Sequence, residues 1–328
     1  MEREKEEVRE ARWVRLLDEV ATDVGYALRG LAKRPGFAAA AVLTLALGVG
    51  ANTAIFGVVD ALFLRYPAGV RNGEELVRLY IVRDERNIQT PQGGPGSYAD
   101  FRAVGDRVRA FTAAAAFLYA QDVDLDRGEP AQRVRGRAVS QGFFPLLGIE
   151  AAAGRLFLPQ EDSIAGAHPV AVISHGFWRR HFGDALGAVG SALLLNGQMV
   201  TVVGVAQEGF TGIDAEAVEV WLPMAMAGAL GLSGEGTEDW RLNPLTVAVH
   251  VIGRLAPGAT AATAEAQATT ALRHAAEAVP ELDPTPEVIT GTLVPAGAPH
   301  RSMAASLALW LLLVTGMVLV IACANLAN

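Results

Sequence analysis

Two long apolar runs frame this chain, and the stretch between them has short, mixed patterning. The first run, residues 37–64 (FAAAAVLTLALGVGANTAIFGVVDALFL), has one ionisable residue, Asp60, near its far end. About 28 residues at 1.5 Å of rise reach roughly 40 Å, more than the ~30 Å hydrocarbon core of a bilayer. The run therefore predicts a membrane-spanning helix with length to spare for tilt. A signal peptide fits less well, because its apolar region is about 7–15 residues long and N-terminal, whereas this run follows a long charged segment. The second run, residues 304–328, contains LALWLLLVTGMVLVIACANLA without a charge and predicts a second span. Two spans put both chain ends on one side of the membrane and the roughly 240 residues between them on the other. No basic anchor follows the second run, as expected of a cut end rather than a natural terminus.

Between the runs the periodicity alternates between strand and helix. Residues 75–82 predict a strand, and Ser97 predicts the cap of a helix whose Tyr98, Phe101, Val104, Val108 and Phe111 share one face. Residues 131–140 alternate, with Arg133, Arg135 and Arg137 on one face of a strand and Val134, Gly136 and Ala138 on the other. Ser140 leads into a short helix carrying Phe143, Phe144, Leu146 and Leu147, closed by Gly148. Residues 170–173 predict a buried strand, and Ser174 caps a helix with Phe177, Trp178 and Phe182, ended by Gly183. Asn196-Gly197 within residues 192–205 predicts a hairpin with a type I′ turn. A long alternating strand is expected over 245–255, then a turn at Pro257-Gly258, an alanine-rich helix from Thr260 to Pro280, and a last strand over 287–294.

The fold class is thus an α+β extracytoplasmic domain, a mixed sheet with short helices, flanked by two transmembrane α-helices. The divisions are 1–36 (a cytoplasmic amphipathic segment), 37–64 (first span), 65–303 (domain) and 304–328 (second span). Trp13, Leu16, Leu17 and Val20 stand at helical spacing in the first segment. The basic cluster Arg29, Lys33 and Arg34 beside the first span favours a cytoplasmic N-terminus.

Inside the first span, Ala46, Gly50 and Ala54, and then Thr53, Gly57 and Ala61, form small-residue rows at four-residue spacing, which let a neighbouring helix approach closely in lipid. Asn52 lies on another side, where a carboxamide facing hydrocarbon would be costly. Gly50, Asn52, Thr53 and Gly57 are therefore helix-packing candidates; the plainer reading is a compositional bias towards alanine and glycine.

Composition agrees with one sizeable domain and a little membrane: 51% hydrophobic residues over 328, with a mean hydropathy of +0.28. The net charge of -8 argues against nucleic acid as a partner. The single cysteine, Cys323, excludes an internal disulfide and a cysteine-ligated zinc site.

Catalytic patterns are scarce. GGPGS at 93–97 lacks the lysine of a phosphate loop and reads as a turn. Ser174 and His175 are chain neighbours, which seldom present their side chains to each other as nucleophile and base. His168, His175, His181 and His250 show no metal-site spacing. No cofactor and no metal is expected. Arg133, Arg135 and Arg137 could contact an anionic head group or peptide, although alternating charges on a strand more commonly form its solvated face.

The motifs taken together resemble a known family. RGLAKRPGFAAAAVLTLALGVGANTAIFGVVDALFLR at 29–65 closely resembles the first membrane segment of MacB/FtsX-type ABC transporter permeases, in particular the acidobacterial duplicated orphan permeases (ADOP). SYADF at 97–101, RVRGRAVSQGFFPLLGIEAAAGRLF at 133–157, HPVAVISHGFWRRHFG at 168–183, LNGQMVTVVGVAQEGFTG at 195–212 and VWLPM at 220–224 resemble that family's MacB-like extracytoplasmic core domain, and IACANLAN at 321–328 its second membrane helix. The resemblance implies a non-catalytic permease subunit in a bacterial inner membrane, its large domain periplasmic. It implies three kinds of partner: a separate cytoplasmic ABC ATPase that binds the ATP, further permease helices or a second permease copy, and membrane lipid. Export or mechanotransmission would be the task. A complete permease has at least four membrane helices and this chain has two predicted, so it is expected to be either a fragment of a longer reading frame or a truncated product, and transport is not expected of it alone. A sensory input module has the same two-span layout and is the alternative.

Overall fold

The computed structural model describes residues 33–60, 65–85, 88–89, 93–126, 132–183, 186–214, 216–233, 239–279 and 284–293, and, within the second apolar run, 309–311, 313–317, 320 and 323–324. The expected amphipathic helix around Trp13 lies outside them. The chain divides into two compact units, Met1–Ala61 with Ser306–Asn328, and Leu62–Ala305.

In the first unit, helix α1 spans Pro35–Val59. Pro35 opens it, where the missing N–H costs nothing. Residues Ala38–Gly57 are long and apolar enough to cross a membrane, and this is the one such helix among the described residues. The described residues of the second apolar run are helical.

The second unit is built from two interlocked pieces. One comprises β1 (Leu76–Val82), α2 (Tyr98–Arg107), β4 (Phe111–Phe117), β12 (His250–Leu255), α5 (Ala261–Ala276) and β13 (Glu287–Thr292), with a small hairpin of β2 (Asp84–Glu85) and β3 (Ile88–Gln89) after β1. Its strands lie in the order β13-β1-β12-β4, antiparallel throughout. Each βαβ unit skips one strand, which is the split, ferredoxin-like arrangement. Between β4 and β12 the chain makes the second piece: β5 (Gln121–Asp126), β6 (Gln132–Val139), α3 (Phe143–Leu147), β7 (Ala151–Gly154), β8 (Val170–Ile173), α4 (His175–Phe182), β9 (Ala192–Leu195), β10 (Gln198–Ala206) and β11 (Val220–Pro223). The pairings β6-β5-β9-β10-β8-β11 return to β6 and close a six-stranded ring, with β7 added on β10. Sheet and ring share one ladder pair, Phe117 with Val139.

Local signals explain most of the elements. Ser97 and Asp100 form a reciprocal capping box on α2, and the Ser174 hydroxyl accepts from the Phe177 N–H at 3.1 Å on α4. Asn196 and Gly197 adopt φ of 46° and 77°, as the type I′ turn between β9 and β10 requires. Two expectations change. The strand expected over 245–255 begins only at His250, because the Asn243 side chain and carbonyl take the N–H groups of Leu245 and Thr246 and turn the chain. The helix from Tyr98 stops at Arg107, so Phe111 opens β4 and its ring covers Gly253 on the neighbouring strand.

Alternation along β1 feeds two apolar layers. Val77, Leu79 and Ile81 face the side that carries α2 and α5, in one core with the residues inside the ring, among them Val123, Val134, Leu193, Val202 and Val220. Leu76 joins Phe117, Phe143, Phe144, Phe210, Trp221 and Ile252 in a second core on the opposite face. The back of the four-stranded sheet is thus covered by the outside of the ring.

Candidate functional site: a buried charge cluster between sheet and ring

Arg78 is the charged residue of LVRLYIV in β1, and the alternation points it into the covered face. Arg137 on β6 and His250 on β12 point there as well, and both are buried. Asp214, from the segment after β10, reaches between the two arginines. Its Oδ1 accepts from Arg78 Nη2 at 2.5 Å, and its Oδ2 lies 2.6 Å from Arg137 Nη2, an ion pair whose atoms are not aligned as a hydrogen bond. Both guanidiniums lie over the Phe117 ring, 4.9 Å and 5.2 Å from its centroid. His250 stacks on Phe117 with ring centroids 5.2 Å apart and meets the Tyr119 ring edge to face at 4.2 Å.

The electrostatics follow from this placement. Burial disfavours the ionised Asp214 carboxyl, but the Arg78 and Arg137 charges outweigh it and hold the group at about 2. Burial and then the nearby Arg78 charge push His250 down to about 3, so its imidazole is neutral, and neither ring nitrogen has a hydrogen-bond partner. Asp214 therefore clamps a strand of the sheet to a strand of the ring. One partner left alone here would be a buried uncompensated charge, which costs about 3–5 kcal/mol.

Two other buried polar centres fasten the periphery. Arg83 grips Asp100 through both Nη atoms at 2.9 and 2.6 Å, linking the end of β1 to the cap of α2. Asp162 accepts from the Ala225 N–H at 2.8 Å and the Gln141 N–H at 3.2 Å; burial outweighs these bonds and raises its carboxyl to about 6. Arg241, paired with Asp239 and lying over Tyr98, donates to the Asp162 carbonyl at 2.8 Å. Among the described residues no group of three or more His, Cys, Asp and Glu is placed to hold a metal ion.

The arginine row read from the sequence does not stay in one environment. Arg133 is exposed beside Asp124 at 3.5 Å, Arg135 pairs with Asp122 at 2.9 Å and with Glu216, and Arg137 is the buried partner of Asp214. Strand β6 starts at the surface and runs beneath the second core, so one alternating face passes from water to protein. Gly50, Asn52, Thr53 and Gly57 lie on α1; among the described residues, and apart from the helix's own backbone, no atom stands within 4 Å of where a Cβ would be on Gly50 or Gly57, and Asn52 is half-buried. Sequence reading missed Arg78, Asp214 and His250. The available signal was a lone arginine inside an otherwise apolar strand, which demands a buried counter-charge.

The fold and the cluster define a two-part domain whose buried charges clamp one part to the other. The chain matches the MacB-like periplasmic core domain over residues 38–271, and it belongs to that family, one of transporter permease domains. No curated protein sequence matches it. Among solved structures it is similar to the extracellular domain of the noncanonic ABC-type transporter YknZ from Gram-positive bacteria (14% identity, 65% of this chain and 99% of that one, TM-score 0.48). It is also similar to the periplasmic region of MacB from Actinobacillus actinomycetemcomitans (12%, 67% and 90%, 0.48) and to a domain of a permease protein from Porphyromonas gingivalis (13%, 68% and 91%, 0.48).

Proposed function

We propose that this chain is the permease part of a MacB/FtsX-type ABC transporter, of the ADOP kind, in which a separate cytoplasmic ATPase drives motion of the periplasmic domain. One observation carries the reading beyond family membership. β1 and β13, the first and last strands of the domain, are antiparallel neighbours, with Val77 opposite Thr292, so the domain's two chain ends leave from the same end of the sheet. A domain carried between two membrane helices needs that geometry. The ATPase supplies the energy, and the chain contributes helix packing and domain motion. The test has two parts. In a Cys323→Ala background, cysteines at Ala11 and Ser163 are treated in intact cells with an impermeant thiol reagent, and only position 163 is expected to react. The reading frame containing this chain, reconstituted with its co-encoded nucleotide-binding subunit, is expected to stimulate that subunit's ATPase activity, whereas the chain alone hydrolyses nothing. Labelling of position 11 alone, or nucleotide binding by the chain itself, overturns the proposal.

A further inference from the structure

β13 is the terminal strand of its sheet and pairs with β1 on one side only. A strand with a bare second edge offers its N–H and C=O groups to any extended chain that meets it. This edge is not bare. The Val288 N–H donates to the Thr269 hydroxyl at 3.0 Å, and Thr290 donates its N–H at 2.7 Å and its hydroxyl at 2.8 Å to Oε1 of Glu265. Arg273 Nε donates to the Pro286 carbonyl at 3.4 Å. Glu265, Thr269 and Arg273 stand four residues apart on α5 and form one stripe of that helix. Their partners at 290, 288 and 286 are the alternate residues that turn away from β1, because the N–H and C=O of one residue leave an antiparallel strand on the same side. Helix and strand stay in step: four helical residues advance about 6 Å and two strand residues about 6.8 Å. The stripe thus matches the edge group for group, with acceptors on the two N–H groups and a donor on the carbonyl of Pro286, which has no N–H to offer.

We propose that this stripe is an edge guard: Glu265 and Thr269 occupy the strand-pairing positions of β13 and bar an extended segment from joining the sheet, the segment in question being β13 of a second copy. Two β13 edges are self-complementary. Set antiparallel about Ile289, Val288 of each copy lies opposite Thr290 of the other, so the N–H groups now taken by α5 meet carbonyls of the second strand. With the guard in place, that pairing has to displace side-chain bonds already formed. Gln267 on the same helix makes a bond of the same kind away from β13, accepting from the Ala110 N–H at 2.9 Å, and serves as the matched control.

The test uses the full chain in detergent micelles, where two copies can turn towards each other freely, with Ile289→Cys in a Cys323→Ala background. In the paired register the two 289 positions face each other with ~4.5 Å between Cα atoms, within disulfide reach. With the guard intact, mild oxidation is expected to give little linked dimer. Glu265→Ala combined with Thr269→Ala removes both acceptors and should strengthen pairing about tenfold, read as dimer yield against protein concentration. Glu265→Gln combined with Thr269→Ser keeps an acceptor at each position and should behave as the wild type. Gln267→Ala should leave the yield at the wild-type level. If the alanine pair does not fold, hydrogen exchange on the wild type decides: the Val288 and Thr290 amides should be protected like that of Ile289, which faces β1. Equal dimer yields in the alanine and conservative pairs, an equal rise in Gln267→Ala, or wild-type exchange at Val288 and Thr290 as fast as in a free peptide overturns the proposal.

Discussion

Along α1, Leu43, Leu47 and Phe56 are 69%, 78% and 55% exposed, whereas in the domain Leu79, Phe117 and Trp221 are at 1% or less and a guanidinium, Arg137, is as deeply buried as they are. The helix turns its apolar side chains outward and carries no charged partner pair among its described residues; the domain hides its apolar surface and encloses ions with it. The difference shows what each unit takes as its solvent. A helix with apolar groups all round is at home in lipid or against other helices, where stability comes from close packing of small residues. The domain folds in water and has to satisfy each charge it encloses with another from its own chain, which makes those pairs its most vulnerable points.

The sharpest way to break this comparison is Asp214→Ala. It strands two guanidiniums, 14% and 1% exposed, and should cost the domain about 3–5 kcal/mol in denaturant unfolding while leaving the helicity of α1 intact. A loss below 1 kcal/mol would mean the arginines find other partners.

Acid titration sharpens the same contrast with a somewhat smaller effect. His250 has a folded-state pKa of about 3, below the ordinary 6.5, so the unfolded chain binds the proton first and stability falls as pH drops from 6.5 towards 3. Asp162 has the opposite sign. Its carboxyl at about 6 lies above the ordinary 3.8, so stability is greatest at low pH and is lost as pH rises from 3.8 through 6, by roughly 3 kcal/mol in all. Asp214, near 2, contributes stability above pH 3.8 that is lost as pH falls through 2. In unfolding curves between pH 4 and 7, Asp162→Asn is expected to gain on the wild type as pH rises, and His250→Phe to gain on it as pH falls. Parallel curves for both variants would contradict the burial of these groups.

In the membrane unit the expected effect is smaller still. Gly50→Leu fills the small-residue row and should reduce association with the permease helices proposed as its partners about tenfold, or ~1.4 kcal/mol, in a copurification or energy-transfer assay, whereas Leu47→Ile should be neutral. Equal tolerance of both would assign the glycines to composition alone. The smallest change is expected at Arg71–Glu150, where both side chains are about two-thirds exposed; Arg71→Ala should shift domain stability by no more than about 0.5 kcal/mol, and less in high salt.

How much of this was legible beforehand depended on the range of the interaction. Signals confined to one turn or one strand were readable from the chain: Ser97, Ser174 and Thr260 as caps, Gly148 and Gly183 as terminators, Asn196-Gly197 as a hairpin turn, and the apolar run that becomes α1. Each depends on a hydrogen bond or a backbone angle set by residues a few positions apart, or on a run long enough to need lipid. The alanine-rich β4 was not readable, since FTAAAAF has weak strand propensity and becomes a strand because β12 pairs along it and Gly253 receives the Phe111 ring. The closing of six strands into a ring was not readable either, nor was its insertion between β4 and β12 of the split sheet, because which edges pair is decided between residues far apart. The arginine row marks the boundary between the two kinds of information. Alternation alone determined that Arg133, Arg135 and Arg137 share a face. Only tertiary structure decided that the first stays in water while the last is buried against Phe117, since burial depends on what the rest of the chain lays over that face, and the carboxylate that makes it tolerable, Asp214, lies more than seventy positions further along the chain.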